Sequence, residues 1–167
     1  MKYLAALLTL FWVCPDAQAD DRDKPVEKPA ALTVTTLGSP TISFVTVNDY
    51  KNGVTINHNT FKVTGTLGLA WAIQVRASGN LTNGSYTIPI SQVAMYASSF
   101  SGTGVSLLTS SSEFFLSTVN QNLATGLLTL LAIDITVNVR YRALGGPDFY
   151  KPGGNYTTTL TVTTTGL

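Results

Sequence analysis

The stretch that decides the fold class spans residues 131–143 and reads LAIDITVNVRYRA. Apolar or large residues alternate with small or polar residues along its whole length. Only a β-strand places two such sets on opposite faces, because successive side chains of a strand point in opposite directions. The stretch therefore predicts a long strand with one buried face. The buried set is Leu131, Ile133, Ile135, Val137, Val139, Tyr141 and Ala143.

The same period of two recurs on either side of this strand. Trp71, Ile73, Val75 and Ala77 alternate with smaller or polar residues, and residues 156–163 repeat the pattern with threonines on one face. Gly, Asn and Pro residues punctuate the chain between such runs, as turns require. We predict shorter strands over residues 32–36, 41–47, 54–56, 61–66, 86–90, 105–108 and 114–119.

These patterns indicate an all-β protein. About seven to ten strands without a convincing amphipathic helix are typical of an immunoglobulin-like β-sandwich. Residues 120–131 are rich in leucine, and we interpret them as a loop followed by a strand, with a short helical turn as the alternative. We expect a single sandwich domain over residues 31–167.

Composition excludes several classes of protein. The 167 residues are 11% charged and 44% hydrophobic, with 10 Lys and Arg against 9 Asp and Glu. A chain of low charge and high hydrophobicity is not typical of a disordered protein. Without clusters of Lys and Arg, the chain also lacks the electrostatic signature of a nucleic-acid-binding protein.

The amino terminus predicts export. Lys2 precedes an apolar run over residues 3–13, and Ala17-Gln18-Ala19 forms a small-x-small cleavage site. This arrangement is typical of a secretory signal peptide, which we place at residues 1–19 with cleavage after Ala19. The run is too short to span a bilayer comfortably, so we predict a secreted or cell-surface protein that is not transmembrane. Bulky residues before Cys14 argue against its lipidation, which stays open.

Residues 20–30 carry most of the charge near the amino terminus together with two prolines. This composition cannot bury enough apolar area to fold, so we predict a flexible charged leader. The only cysteine is Cys14, inside the predicted signal peptide, so the mature domain is expected to fold without disulfides.

Few residues can support catalysis. The predicted domain contains His58, four carboxylates and no thiol, whereas acid–base chemistry needs titratable groups that converge. We predict a protein that is not an enzyme and has no cofactor, and we interpret His58 as a residue of a polar turn. With no second His or Cys in this part of the chain, a transition-metal site is not expected. Sequons at Asn80, Asn83 and Asn155 are explained most simply by the abundance of Asn, Ser and Thr.

Aromatic residues are the remaining candidates for contacts. Trp71 belongs to the apolar face of a predicted strand and is expected in the core. Five others fall in or near predicted loops, where aromatic rings stack on sugars or pack against a protein partner. These candidate exposed contacts are Tyr50, Tyr96, Phe100, Phe149 and Tyr150.

Both ends of the predicted mature chain carry a resemblance to a known family. Near the amino terminus it rests on Val26-Glu27-Lys28, Leu32-Thr33-Val34-Thr35 and Pro40-Thr41-Ile42; near the carboxyl terminus it rests on Gly153-Gly154-Asn155-Tyr156 and Leu160-Thr161-Val162. In these motifs the chain resembles bacterial fimbrial subunits, the pilins of the alternate chaperone-usher class.

The resemblance implies an incomplete immunoglobulin-like sandwich that a strand from the neighbouring subunit completes, which is strand-addition recognition. It makes Leu32, Val34 and Thr36 the candidate donor-strand positions. It also implies other fimbrial subunits or further copies, and a periplasmic chaperone, as partners.

Two functions stay open on the sequence. The first is a surface structural or adhesive protein, a pilin-like subunit that assembles by strand addition. The alternative is a secreted, non-catalytic carbohydrate-binding sandwich with a host or environmental glycan as its ligand. If residues 32–36 pair within their own sheet, the sandwich could be complete in one chain.

Overall fold

The computed structural model describes residues 32–66, 70–104, 108–126 and 132–166. The predicted signal peptide, Cys14 and the predicted leader lie outside the described residues. Eleven strands and one short α-helix are found within these ranges. They are β1 (Leu32–Thr36), α1 (Val47–Asn52), β2 (Val54–Thr66), β3 (Trp71–Ala77), β4 (Leu81–Asn83), β5 (Tyr86–Ile88), β6 (Val93–Thr103), β7 (Leu108–Ser110), β8 (Phe114–Phe115), β9 (Gln121–Gly126), β10 (Ala132–Ala143) and β11 (Leu160–Gly166).

The strands form two main sheets. The first has five strands in the order β1-β2-β10-β6-β8, and the second has four in the order β11-β3-β9-β7. All their pairings are antiparallel. A small hairpin of β4 and β5 stands apart from them. The prediction of an all-β sandwich is confirmed.

The core lies between the two sheets, and β10 runs through the middle of the first. Ile133, Ile135, Val137, Val139 and Tyr141 are each at most 4% exposed, as the period of two predicts. The facing strand β3 contributes Trp71, Ile73, Val75 and Ala77, also buried. β10 binds β2 on one side and β6 on the other along almost its full length.

The strand order can be compared with that of a complete immunoglobulin sandwich. In an immunoglobulin constant-type sandwich one sheet has strands A, B, E and D, and the other has C, F and G. Here β1-β2-β10-β6 stand in the A-B-E-D order, and β3 beside β11 stands where C lies beside F. Next to β11 the described residues provide no strand in the place of G. β7, β8 and β9 come from the connection between the D-like and E-like strands.

Several predicted elements differ from the structure. Residues 41–47 are not a strand: Thr46 caps the helix α1, because its side chain and that of Asp49 each accept a hydrogen bond from the other residue's main-chain N–H. This reciprocal capping box was present in the sequence, although one short turn produces no periodic apolar face. β6 was missed because Ala94, Met95 and Ala97 are all fully or almost fully buried, so the strand shows no clean alternation.

The predicted strands 54–56 and 61–66 form one continuous strand, β2. The polar residues between them therefore lie in the sheet, and His58 is a strand residue and not a turn residue. The register of β2 against β10 shifts by one residue at Thr60, which makes a β-bulge. The hydroxyl of Tyr141 donates to Thr60 Oγ1 at 3.1 Å, and Thr60 in turn donates to the carbonyl of His58. Burial raises the pKa of the Tyr141 phenol to about 12.

A pair of substitutions on neighbouring residues of β10 tests which face of this strand holds the sandwich together. Ile135→Ala removes buried methyl groups, and we expect it to lower the free energy of unfolding by about 2–5 kcal/mol. The matched control, Thr136→Ala, changes the opposite face and is expected to cost less than about 1 kcal/mol. Urea unfolding followed by circular dichroism measures both. Equal losses in the two variants would contradict the assignment of the core face.

Candidate functional site

The most distinctive feature of the surface is the outer edge of β11. This strand pairs with β3 on one side, from Leu160 opposite Ala77 to Gly166 opposite Trp71. On its other side the described residues provide no partner strand. Its sequence, LTVTTTG, contains neither a charged residue nor a proline. Edge strands in stable monomers are usually guarded by such residues, so this edge is unusually open to another strand.

An apolar seam runs beside this edge. β1, at the edge of the first sheet, contacts β11, at the edge of the second. Leu32 and Val34 of β1 and Leu160 and Val162 of β11 pack against the core but are only partly buried. The hydrophobic core is therefore incompletely covered along the seam between the two edges.

Two threonine hydroxyls of β11 add to this observation. Within the described part of the chain, Oγ1 of Thr163 and Oγ1 of Thr165 are shielded from solvent and have no hydrogen-bond partner. Buried polar groups in stable structures are nearly always paired, because an unpaired one costs about 1–3 kcal/mol. The strand that forms this edge therefore also carries, on its outer face, two hydroxyls without a partner among the described residues.

The predicted donor residues lie in β1. Leu32 is opposite Gly65, Val34 opposite Val63 and Thr36 opposite Phe61 in the antiparallel pairing with β2. Leu32 and Val34 face the core, whereas Thr36 is exposed. In this structure β1 thus fills the A-like position of its own sheet, and its donation to another chain stays a prediction.

A groove lies on the side of the sandwich away from β11. It is formed beside β6 by the connection between β7 and β8. Its volume is about 430 Å³. Hydroxyl-bearing side chains dominate its wall, which consists of Tyr96, Ala97, Ser98, Ser110, Ser111, Ser112 and Glu113. Ser98 is the second bulge residue of the sheet, and its hydroxyl donates to Oδ1 of Asn138 at 2.6 Å.

Two arginines of β10 each contact a residue of the groove wall, and they differ in their partners. Arg142 makes a bidentate pair with Glu113, with Nη2 to Oε2 at 2.6 Å and Nε to Oε1 at 3.1 Å. This hydrogen bonding by Arg142 holds the pKa of the Glu113 carboxyl below its usual range, and it raises the pKa of the Arg142 guanidinium. Arg140 lies over the ring of Tyr96, 5.8 Å from its centroid, and donates to the Tyr96 hydroxyl at 3.3 Å.

The predicted exposed aromatics do not form one site. Phe149 is buried, 6% exposed, so the prediction that it is an exposed contact is wrong. Its ring stacks on Phe44 at 4.8 Å, and Tyr50 packs against the same ring of Phe44, which closes one end of the core. Phe100 is half-buried against the main core. Tyr150 is 61% exposed, and Tyr96 lines the groove.

The other candidate residues of the sequence, His58 and the sequon asparagines, do not form a site in the described part of the chain. His58 Nδ1 lies 3.1 Å from Thr60 Oγ1, and no group of three or more His, Cys, Asp or Glu residues able to hold a metal occurs among the described ranges. Of the sequon asparagines, Asn80 uses its side chain to accept the main-chain N–H of Ile90. The helical segments that the structure describes include none long and apolar enough to cross a membrane.

The comparisons with known proteins do not assign a family. No protein-family model matches the chain, and a search of curated proteins finds no significant match.

The ion pair at the groove predicts a specific pH dependence. An unfolded Glu has a pKa near 4.3, above that of Glu113 in the folded chain, so the pair stabilises the fold above this pH and the contribution is lost as the pH falls through the folded pKa. Both side chains are about one-third exposed, at 35% and 34%, which limits the effect to about 0.2–1 kcal/mol.

We expect Glu113→Gln and Arg142→Gln to show the same reduced loss of stability between pH 5 and pH 3, because each removes the cause of the shift. Urea unfolding at several pH values measures the slope. If the variants lose as much free energy of unfolding between pH 5 and pH 3 as the unaltered chain does, the ion pair does not contribute to the pH dependence of stability.

Proposed function

We propose that this chain is a pilin-like structural subunit of a bacterial surface assembly, exported and joined to its neighbours by β-strand addition. The observation that carries the proposal is that no strand of the described residues lies beside β11, where an immunoglobulin-like sandwich has its G strand. A strand from another chain that lies there would pair with the backbone of β11 and cover the apolar seam.

The hydrogen-bonding groups of an edge strand support the addition of another strand. An unpaired edge presents a row of main-chain N–H and C=O groups, and an extended peptide that adds to it satisfies them. The edges on the far side of the sandwich differ, since β7 has three described residues and β8 has two. A seven-residue neutral edge over a half-covered core is the better acceptor.

The donor in this proposal is the β1 segment, Leu32–Thr36, of a second copy. Its Leu32 and Val34 alternate with threonines, so the strand offers one apolar face to a seam. Among the described strands β1 pairs with β2 alone, and residues 37–45 after it contain no helix or strand. Donation to another copy exchanges the pairing of β1 with β2 for a pairing with β11 of that copy, and a head-to-tail contact of this kind that does not close into a ring extends into a fibre.

Mixed single-cysteine variants test the proposal directly. In a Cys14→Ser background, Thr33→Cys or Thr35→Cys marks the donor in one chain, and Thr161→Cys, Thr163→Cys or Thr165→Cys marks the acceptor edge in another. The two chains are co-expressed, exported and oxidised. We expect a disulfide-linked heterodimer on a non-reducing gel, because each chain carries one cysteine and only pairing between chains brings the two together.

Two matched acceptors make the result specific. Thr109→Cys lies on β7 at the far edge of the same sheet and is expected to give no cross-link. Thr64→Cys lies on β2, directly opposite Thr33 in the pairing within one chain. A cross-link between chains only at Thr64 would mean exchange at the A-like site and would reject β11 as the acceptor. No cross-link at any position would reject strand addition altogether.

A further inference from the structure

The groove beside β6 carries a second inference, which is independent of strand addition. We propose that it binds an acidic saccharide, with the carboxylate of a sugar acid at Arg140 and the sugar hydroxyls on the serines of the wall. The proposal rests on the balance of charge at the groove and on the chemistry of its lining.

The charge balance favours an anion. Glu113 is the only acidic residue in the groove wall, and Arg142 already neutralises it through two hydrogen bonds. Arg140 remains, and no carboxylate of the described residues lies within ion-pair distance of it. The three side chains together carry one net positive charge on the outer face of the sheet.

The guanidinium of Arg140 also has donors to spare. Nη1 donates to the Tyr96 hydroxyl, and no hydrogen bond from Nη2 to a described residue is found. Nε also has no partner in the described part of the chain, but it is shielded from solvent, so Nη2 is the donor left for a ligand. A guanidinium has five N–H donors in a fork that matches a carboxylate, so one that is in contact with no carboxylate of the described residues favours such a ligand. β10 and Tyr96 hold this group in place from below.

The lining favours a saccharide over an acidic peptide. Besides Tyr96, the wall offers the hydroxyls of four serines and one methyl group, that of Ala97. Ser98 and Ser110 are fixed by hydrogen bonds to Asn138 and to the carbonyl of Ala97. Ser111 and Ser112 line the groove, and no side-chain hydrogen bond is found from them to the described residues, so their hydroxyls remain able to donate and accept. Sugar hydroxyls need such partners, whereas apolar peptide side chains find little surface here.

Binding of the full exported chain to matched acidic and neutral saccharides tests this inference. The probes are sialyllactose against lactose, and oligogalacturonate against its methyl ester, which keeps the rings and removes the charge. We expect isothermal titration to detect only the acidic member of at least one pair. Arg140→Gln should weaken that binding at least tenfold, and the double variant Ser111→Ala/Ser112→Ala severalfold.

Arg76→Gln is the matched control, because Arg76 is an exposed arginine on the outer face of the other sheet. Its binding should equal that of the unaltered chain, and circular dichroism checks that Arg140→Gln is folded. Equal weakening by the two arginine variants would reduce the effect to non-specific attraction and overturn the proposal. Equal binding of the neutral partners, equal Arg140-dependent binding of polyglutamate, or no binding of either acidic probe would overturn it as well.

Discussion

The central strand β10 is the constraint on which the rest of the structure depends. Its inward residues make the middle of the core, and its outward residues bind across to both neighbours. Asp134 pairs with Lys62 at 3.0 Å, Asn138 donates to Asn59 at 2.8 Å and accepts from Ser98, and Arg140 and Arg142 bind Tyr96 and Glu113. One strand therefore fixes the register of three, because a slip by one residue would exchange its two faces.

The pairing around β10 also contrasts with that around β11. β10 is paired on both sides, whereas β11 is paired with β3 alone among the described strands, so the partly covered seam between β1 and β11 lies away from the most fully paired part of the sandwich. The two β-bulges, at Thr60 and Ser98, flank the same residue of β10, Asn138. Thr60 is buried and binds Tyr141, whereas Ser98 binds Asn138 on the outer face. The two proposed sites lie at opposite ends of the strand order, one beside β11 and one beside β6.

The sequence predicts correctly those strands that have one buried face and one face exposed to solvent. The alternation in β10 and β3 places their core residues correctly, and residues 32–36 match β1. It fails where burial does not alternate, as in β6, where Ala94, Met95 and Ala97 are all shielded. It fails again where polar residues lie within a strand, as at Asn57-His58-Asn59, because such a run resembles a turn in the sequence although Asn59 binds Asn138 across the sheet and His58 contacts Thr60.

The candidate sites, too, are visible only in part from the sequence. Lack of charge in residues 160–166 is visible in the sequence, but that β11 is an edge follows only from the strand order. Likewise Tyr96 could be chosen as an aromatic contact, whereas its position beneath Arg140 depends on the register of β6 against β10. Phe149 could not be distinguished from an exposed loop residue, because its burial comes from the distant Phe44.

The central claim is that the sandwich accepts a strand from another chain, and its most direct test is thermal unfolding with size-exclusion chromatography of a chain that begins at Ser39. The account predicts that this shortened chain aggregates or unfolds without cooperativity, and that a peptide of residues 20–38 added in trans restores one cooperative transition. It also predicts that the peptide with Thr33→Cys forms a disulfide with Thr163→Cys on β11, and not only with Thr64→Cys on β2. A shortened chain that is a stable monomer, with the same unfolding temperature with and without the peptide, would contradict it.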